Sequence, residues 1–277
     1  MKTRIVLTLI LVAALAGCGG SSSFEGRTVV AAFYPIALAA QEIGGDTVTV
    51  ENLTPPGVEP HDIELSGSDV RTIADADLVL YLGDGFQPAL EDAIDSTSAN
   101  GADLLDAVEQ FGADPHVWLD PARYAAIARR IGDELDRRPE ALRFAARLQS
   151  LDVEFRRGLS GCERNEVVTS HDAFGYLAER YGLKQVAITG LSPEVDPTPR
   201  DLEGVVRQVR AAGATTVFFE TLISPRLAET VAREVGAETA VLNPIEGLSK
   251  EEVAGGEDYF SVMRENLAAL RKALGCR

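Results

Sequence analysis

The segment RPEALRFAARLQSLDVEFRRGL, residues 138–159, places Phe144, Leu148, Leu151, Phe155 and Leu159 at successive intervals of four, three, four and four. That is the period of an α-helix with one continuous apolar face. A helix of about 20 residues is about 30 Å long, the height of a small domain. Upstream, a second helical stretch opens at Pro121 and is separated from this one by Arg137, Arg138 and Pro139, so no strand pattern falls between 121 and 159. Outside this region the chain changes character. Short β-branched runs at 28–33, 48–53 and 78–82 before it, and at 167–169, 185–189, 216–219 and 239–242 after it, mostly lead into helix-period segments. This alternation is the signature of α/β units with mainly parallel strands. The expected fold class is α/β: two lobes with mainly parallel sheets joined by a single long helix. The lobes would be residues 26–138 and 161–277, with the connecting helix at 139–160. A surface helix on one continuous domain is the other reading of the same stretch.

Local signals support the helices. Thr198 precedes Pro199, with Asp201 three residues after the threonine and Gly213 closing the segment, which reads as a capped helix with Leu202, Val205, Val209 and Ala212 along one stripe. Asp120 and Pro121 read as the cap and first position of another. No third glycine completes a dinucleotide fingerprint near Gly83 and Gly85, and there is no P-loop, so a nucleotide site has little support.

The chain contains three histidines, His61, His116 and His171, in the contexts GVEPHDIE, ADPHVWLDP and TSHDAFG. Each lies in a turn-like segment between a strand pattern and a helix pattern, where binding sites of α/β proteins form. A lone histidine beside a carboxylate is more often a hydrogen-bonded structural residue than a ligand. The placement of every copy in such a segment shifts the balance, since three imidazoles and one oxygen make a tetrahedral zinc site. Unperturbed imidazoles have a pKa of about 6.5, so protons are expected to compete with metal below that pH. Asp62 and Asp172, each following its histidine, are candidates to orient the rings, with solvent-facing positions as the alternative. Trp118 lies two residues past His116 and would point to the same side if that segment were extended.

At the amino terminus, Lys2 and Arg4 precede an apolar run from Ile5 to Ala16, too short for a membrane span of about 20 residues but suited to an export signal. Leu15-Ala16-Gly17-Cys18 follows and resembles the bacterial lipobox, which implies cleavage before Cys18 and a lipid on its sulfur. The alternative is an ordinary secretory signal. Residues 1–25 would then be signal and flexible tether, the serines at 21–23 reading as linker. Cys162 and Cys276 remain as an even pair in a compartment that permits disulfides, either bridged or as two buried thiols. Hydrophobic residues at 45% and charged residues at 25% suit a globular body with a substantial core. A net charge of −17 argues against nucleic acid, which requires a basic face.

Five ordered segments, GVEPHDIELSGSD, DPHVWLDP, SHDAFGYLAERYGL, FFETLISPRLAETVARE and DYFSVMRENL, resemble the metal-binding lipoproteins of bacterial ABC importers, the ZnuA and TroA type, and the similarity runs from about Thr28 to the carboxyl end. The resemblance implies a transition metal held in the cleft between the lobes and passed to a membrane permease with its ATPase. The protein would be a lipid-anchored monomer on the extracytoplasmic face. It places the family's three ligands on His61, His116 and His171. A histidine at the third position favours zinc, as does an imidazole-rich donor set, with manganese preferring more oxygen. The family's fourth ligand, an aspartate in many relatives, falls on Asn243, so water, Asn243, Glu220, Glu246 or Glu59 are the candidates for that place. Glu220 could instead cap the next helix. The histidine-rich loop of many zinc-type relatives is absent. Two other classes are a lipid-anchored zinc hydrolase or lyase with Glu220 as base, although no HExxH helix is present, and a surface adhesin that uses metal as a staple.

Overall fold

The structure, a computed structural model, describes residues 26–108, 114–193 and 195–277; the export signal and Cys18 lie outside the described residues. The first lobe is built on four parallel strands, β1 (Arg27–Ala31), β2 (Val48–Asn52), β3 (Leu78–Tyr81) and β4 (Gly101–Asp103), in the order β2-β1-β3-β4. Helices α1 (Tyr34–Gly44), α2 (Gly67–Asp75) and α3 (Pro88–Thr97) connect them. Three of these strands fall where the β-branched runs predict them. β4 has no such run: only Ala102 of Gly101-Ala102-Asp103 is buried, and the strand exists because it pairs with β3, Leu80 opposite Ala102.

The chain then forms an antiparallel helix pair, α4 (Pro121–Glu134) and α5 (Arg138–Gly158). Asp120 caps α4 by accepting from the Ala122 N–H at 2.8 Å. The two helices approach so closely that a side chain at Gly132 would collide with the Ala141 methyl. Phe144, Leu148, Leu151, Phe155 and Leu159 are all buried, so the predicted stripe is the packed face.

The second lobe repeats the parallel plan with β5 (Glu166–Thr169), β6 (Lys184–Ala187), β7 (Thr216–Phe219) and β8 (Glu238–Val241) in the order β6-β5-β7-β8. Its helices are α6 (Gly175–Tyr181), α7 (Pro199–Ala212), α8 (Arg226–Val235), α9 (Lys250–Gly255) and α10 (Tyr259–Leu274). Thr198 and Asp201 form the expected capping box on α7, and Gly213 ends it in the left-handed conformation. Cys162 and Cys276 are joined as a disulfide that ties the end of α10 to the segment after α5.

One apolar core runs from the first sheet through α5 and α10 into the second lobe, taking in Val79, Phe144, Leu151, Phe155, Phe174, Leu177, Phe218, Met263 and Leu270. A smaller cluster around Val168, Val209, Val217 and Val231 belongs to the second lobe alone. No helix among the described residues is long and apolar enough to cross a membrane.

In both sheets the chain reverses its direction of strand addition beside the first strand, between β1 and β3 and between β5 and β7. Loops leaving the carboxyl ends of strands at such a point enclose a crevice. Here the loops after β2 and β4 meet those after β5, β7 and β8.

Candidate metal centre

His61 follows β2, His116 follows β4 and His171 immediately follows β5. The fold brings all three together with Glu246, which lies beyond β8, and their ligand-capable atoms fall within 4.8 Å of one another. One carboxylate oxygen, Glu246 Oε1, stands 3.4 Å from His61 Nε2, 3.0 Å from His116 Nε2 and 3.2 Å from His171 Nε2. The Nε2 atoms of His116 and His171 are 3.3 Å apart. Donors at about 2.0 to 2.1 Å from a tetrahedral zinc ion are separated by about 3.3 Å. The spacing therefore fits a small tetrahedral cation. His61 Nε2 and Glu246 Oε2 are buried without a hydrogen-bond partner, another mark of a donor set shaped for a cation.

Two rings are oriented from behind. His116 Nδ1–H donates to Asp114 Oδ1 at 2.7 Å, and His171 Nδ1–H donates to Glu220 Oε1 at the same distance. Once the ring is neutral, each bond fixes the tautomer that turns the Nε2 lone pair toward the centre. Ser170 Oγ also donates to Glu220. Glu220 thus serves as a support for His171. Asp62 and Asp172 are exposed, the solvent-facing alternative for both. Asp114 was missed, although its place two residues before a histidine was visible in the sequence.

Asn243, one of the five candidates for the fourth place, spends its side chain on its own turn and its neighbours. Its Oδ1 accepts from the Ile245 N–H at 2.7 Å, and its amide nitrogen donates to Thr221 and Glu252. The Asn266 side chain clamps the Asn243 backbone on both sides. This turn holds Ile245 at φ 56°, a conformation unfavourable for a β-branched residue by about 1 to 3 kcal/mol. The next residue is Glu246, so the strained turn aims its carboxylate. Glu59 Oε1 accepts from the His61 N–H at 3.1 Å, and its carboxyl lies against Glu246.

The pocket wall is aromatic. Phe86 meets the His61 ring edge-on at 4.7 Å between centroids, and Trp118 lies 5.2 Å from the His116 ring. Trp118 sits in a tight 3-10 turn, Val117–Leu119, rather than an extended segment; the turn still leaves it beside His116. Its indole N–H donates to the Pro244 carbonyl at 2.7 Å, and Tyr259 OH donates to the Trp118 carbonyl at 2.6 Å. Arg180 of α6 reaches Asp120 at 3.1 Å and Asp152 of α5 at 2.7 Å. The first bond joins the two lobes, and the second joins the second lobe to the connecting helix.

Burial raises the cost of charge here, yet the charges compensate one another. Burial opposes ionisation of His171, but Glu220 and Glu246 outweigh it and push the imidazole up to about 11. His116 is also raised, the pull of Asp114 and Glu246 exceeding the effect of burial. Glu246 is held well below the usual carboxylate range: burial acts against this, and the three histidines overcome it. Glu59 is pushed up to about 9, first by burial and then by the Glu246 carboxylate. Metal-free, the site stores protons where a cation would otherwise sit.

The chain matches the family model described as ZnuA, zinc-uptake complex component A, periplasmic, over residues 29–273. It is 35% identical to the zinc-binding lipoprotein AdcA of Streptococcus pneumoniae, covering 98% of this chain and 60% of that protein, so the chain spans about three fifths of that relative's length. It is 34% identical to the high-affinity zinc uptake system protein ZnuA of Bacillus subtilis, covering 94% of this chain and 93% of that one. Among solved structures, the Zn(II)-bound ZnuA-like domain of Streptococcus pneumoniae AdcA superimposes with a TM-score of 0.77 at 36% identity, covering 90% of this chain and 99% of that chain. The laminin-binding protein Lmb of Streptococcus agalactiae gives 0.82 at 29%, covering 90% and 100%. With a family model spanning nearly all of the folded body and a full-length relative at 34% identity, the chain belongs to the ZnuA family of zinc-uptake components.

Proposed function

We propose that this protein captures zinc in a cradle formed by His61, His116, His171 and Glu246 and delivers it to an ABC permease and its ATPase. It would act from the extracytoplasmic face as a monomer, tethered by a lipid on Cys18. In this reading residues 1–25 are signal and tether, 26–138 and 161–277 are the lobes, and 139–160 is the connecting helix. The observation that carries the reading is the convergence of three Nε2 atoms, from both lobes, on one carboxylate oxygen at 3.0, 3.2 and 3.4 Å, all four within 4.8 Å of one another. Three nitrogens and one oxygen favour zinc over manganese, which prefers oxygen-rich surroundings. A hydrolytic zinc site keeps an open position for water. Here Glu246 occupies the fourth corner and is 1% exposed, which favours carriage over catalysis.

The test is the metal content and chelator-competed affinity of the mature body for zinc and manganese, with each of the four residues replaced by alanine in turn. One zinc per chain, lost or weakened in every variant and preferred over manganese, is the expected result. Zinc binding unaffected by all four replacements would overturn the assignment. Hydrolytic activity lost in His171→Ala would favour an enzyme.

A further inference from the structure

Beyond the donors themselves, the two lobes share a device built from a glutamine and a threonine. In the second lobe, Gln185 Nε2 donates to the His171 carbonyl at 3.0 Å and to Thr169 Oγ1 at 2.8 Å, while Thr169 Oγ1 donates to the same His171 carbonyl at 2.8 Å. In the first lobe, Gln87 Nε2 donates to the Pro60 carbonyl at 3.2 Å and to Thr54 Oγ1 at 3.3 Å. Thr54 Oγ1 donates to the Ala32 carbonyl at 2.8 Å, which Gln87 Nε2 also approaches, at 3.5 Å. The Pro60 carbonyl belongs to the peptide bond that leads into His61, and the His171 carbonyl to the one that leaves His171. In the second lobe the triangle itself closes on a candidate ligand's peptide; in the first it closes on the Ala32 carbonyl, and Gln87 reaches from it to the peptide that leads into His61.

These glutamines are not explained by the local needs of their elements. Gln87 occupies the N-cap position of α3 but makes no capping bond with its side chain. Gln185 lies on β6, an edge strand, whose ladder is made by backbone groups. In both residues the amide oxygen is buried without a partner. The reverse amide orientation would set that oxygen against carbonyl oxygens, so the arrangement commits the NH₂ groups to the two backbones and leaves the oxygens unsatisfied. Thr54, Gln87 and Thr169 are 2% exposed or less, so water does not offer these carbonyls an easy substitute.

We propose that Gln87 and Gln185 are positioning residues that set metal selectivity, by holding His61 and His171 at the donor separation that fits a tetrahedral ion. This rests on the zinc reading above. A clamped backbone preserves donor separations such as the 3.3 Å between the Nε2 atoms of His116 and His171, which match zinc. Loosening it releases a donor set that manganese, with its preference for more oxygen ligands, does not exploit. The loss therefore falls on zinc more than on manganese.

The test uses Gln87→Met and Gln185→Met in the full mature chain. These variants keep the side-chain length and remove the donors. Gln149→Met, at an exposed position of α5, is the control. Zinc and manganese affinities are measured by chelator competition, and zinc release by stopped-flow. The expected result is a fall of about 10- to 100-fold in zinc affinity, the usual size for groups that support ligands, with a narrowed zinc-to-manganese ratio and faster zinc release. The control should match the parent protein. A general weakening of the fold would lower both affinities by one factor and leave the ratio unchanged, and that outcome overturns the proposal, as does parental behaviour in both variants. Should Gln87→Met fail to fold, Gln185→Met on the edge strand decides alone. A parent protein that binds no zinc overturns the zinc reading and this proposal together; a parent that binds zinc with an unchanged ratio in the variants overturns the clamp only.

Discussion

Zinc binding should expel protons well above the pH at which ordinary histidines are already neutral. Metal ligation requires neutral imidazoles, and the metal-free site holds His171 up to about 11, with His116 also raised. The sign follows directly: a raised value keeps the proton on the ring to higher pH, so competition with zinc extends upward and affinity grows as pH rises. Between pH 7.5 and 8.5 an ordinary histidine of pKa about 6.5 changes affinity by only about 1.1-fold. One imidazole that remains fully protonated across that window gives a tenfold rise per pH unit, about 1.4 kcal/mol. His116, raised by Asp114 and Glu246 against the effect of burial, acts in the same direction. Glu59, pushed up to about 9, is a further proton that an incoming dication can displace. Calorimetry in buffers of different ionisation enthalpy counts the protons, and titration against a chelator of known pH dependence gives the slope. Release of no proton at pH 8 and an affinity flat from 7.5 to 8.5 would refute the reasoning. The sequence alone places this competition below about pH 6.5; the buried carboxylates move it upward.

Replacing Glu246 by alanine removes one of the four proposed donors and leaves the histidine charge uncompensated, so zinc affinity should fall further than in Asp114→Ala, where only the support of His116 is lost and a drop of about 10- to 100-fold is expected; chelator competition ranks the two, and equal effects would contradict the assigned roles. Trp118 lies 5.2 Å from the His116 ring and donates to Pro244, two residues before Glu246, so its fluorescence should change on zinc addition, and superimposable spectra would remove that link. Cys162→Ser opens a bridge of sequence separation 114, for which the chain-entropy model gives a loss of about 4 to 5 kcal/mol. Denaturant unfolding of the oxidised parent and the variant measures it, and coincident curves would show that the cross-link does not constrain the unfolded chain.

Much of this architecture was legible because periodicity is a local property. The apolar stripe from Phe144 to Leu159, the β-branched runs and the Thr198 cap each encode their element within a few residues. β4 was not legible, since Gly101-Ala102-Asp103 becomes a strand only by pairing with β3. The three histidines stood out through their rarity and their turn contexts. The fourth corner did not, because Glu246 is aimed by a left-handed Ile245 that Asn243 stabilises from two residues away, and five candidates remained open in the sequence. The same holds for Asp114 and Glu220. Which carboxylate backs which ring depends on loops from different strands meeting, and composition carries no trace of that.

Among the described residues, the apolar core that runs along the buried face of α5 from the first sheet into the second lobe packs the waist of the molecule. A packed interior is stiff and transmits displacement, so pressure on either outer face is conveyed along this spine as a slight tilt of one half against the other. The bound ion would sense that tilt as a fraction of an ångström added to a few donor separations, and a coordination shell tuned to such distances needs no wide yawning of the cleft to lose its grip.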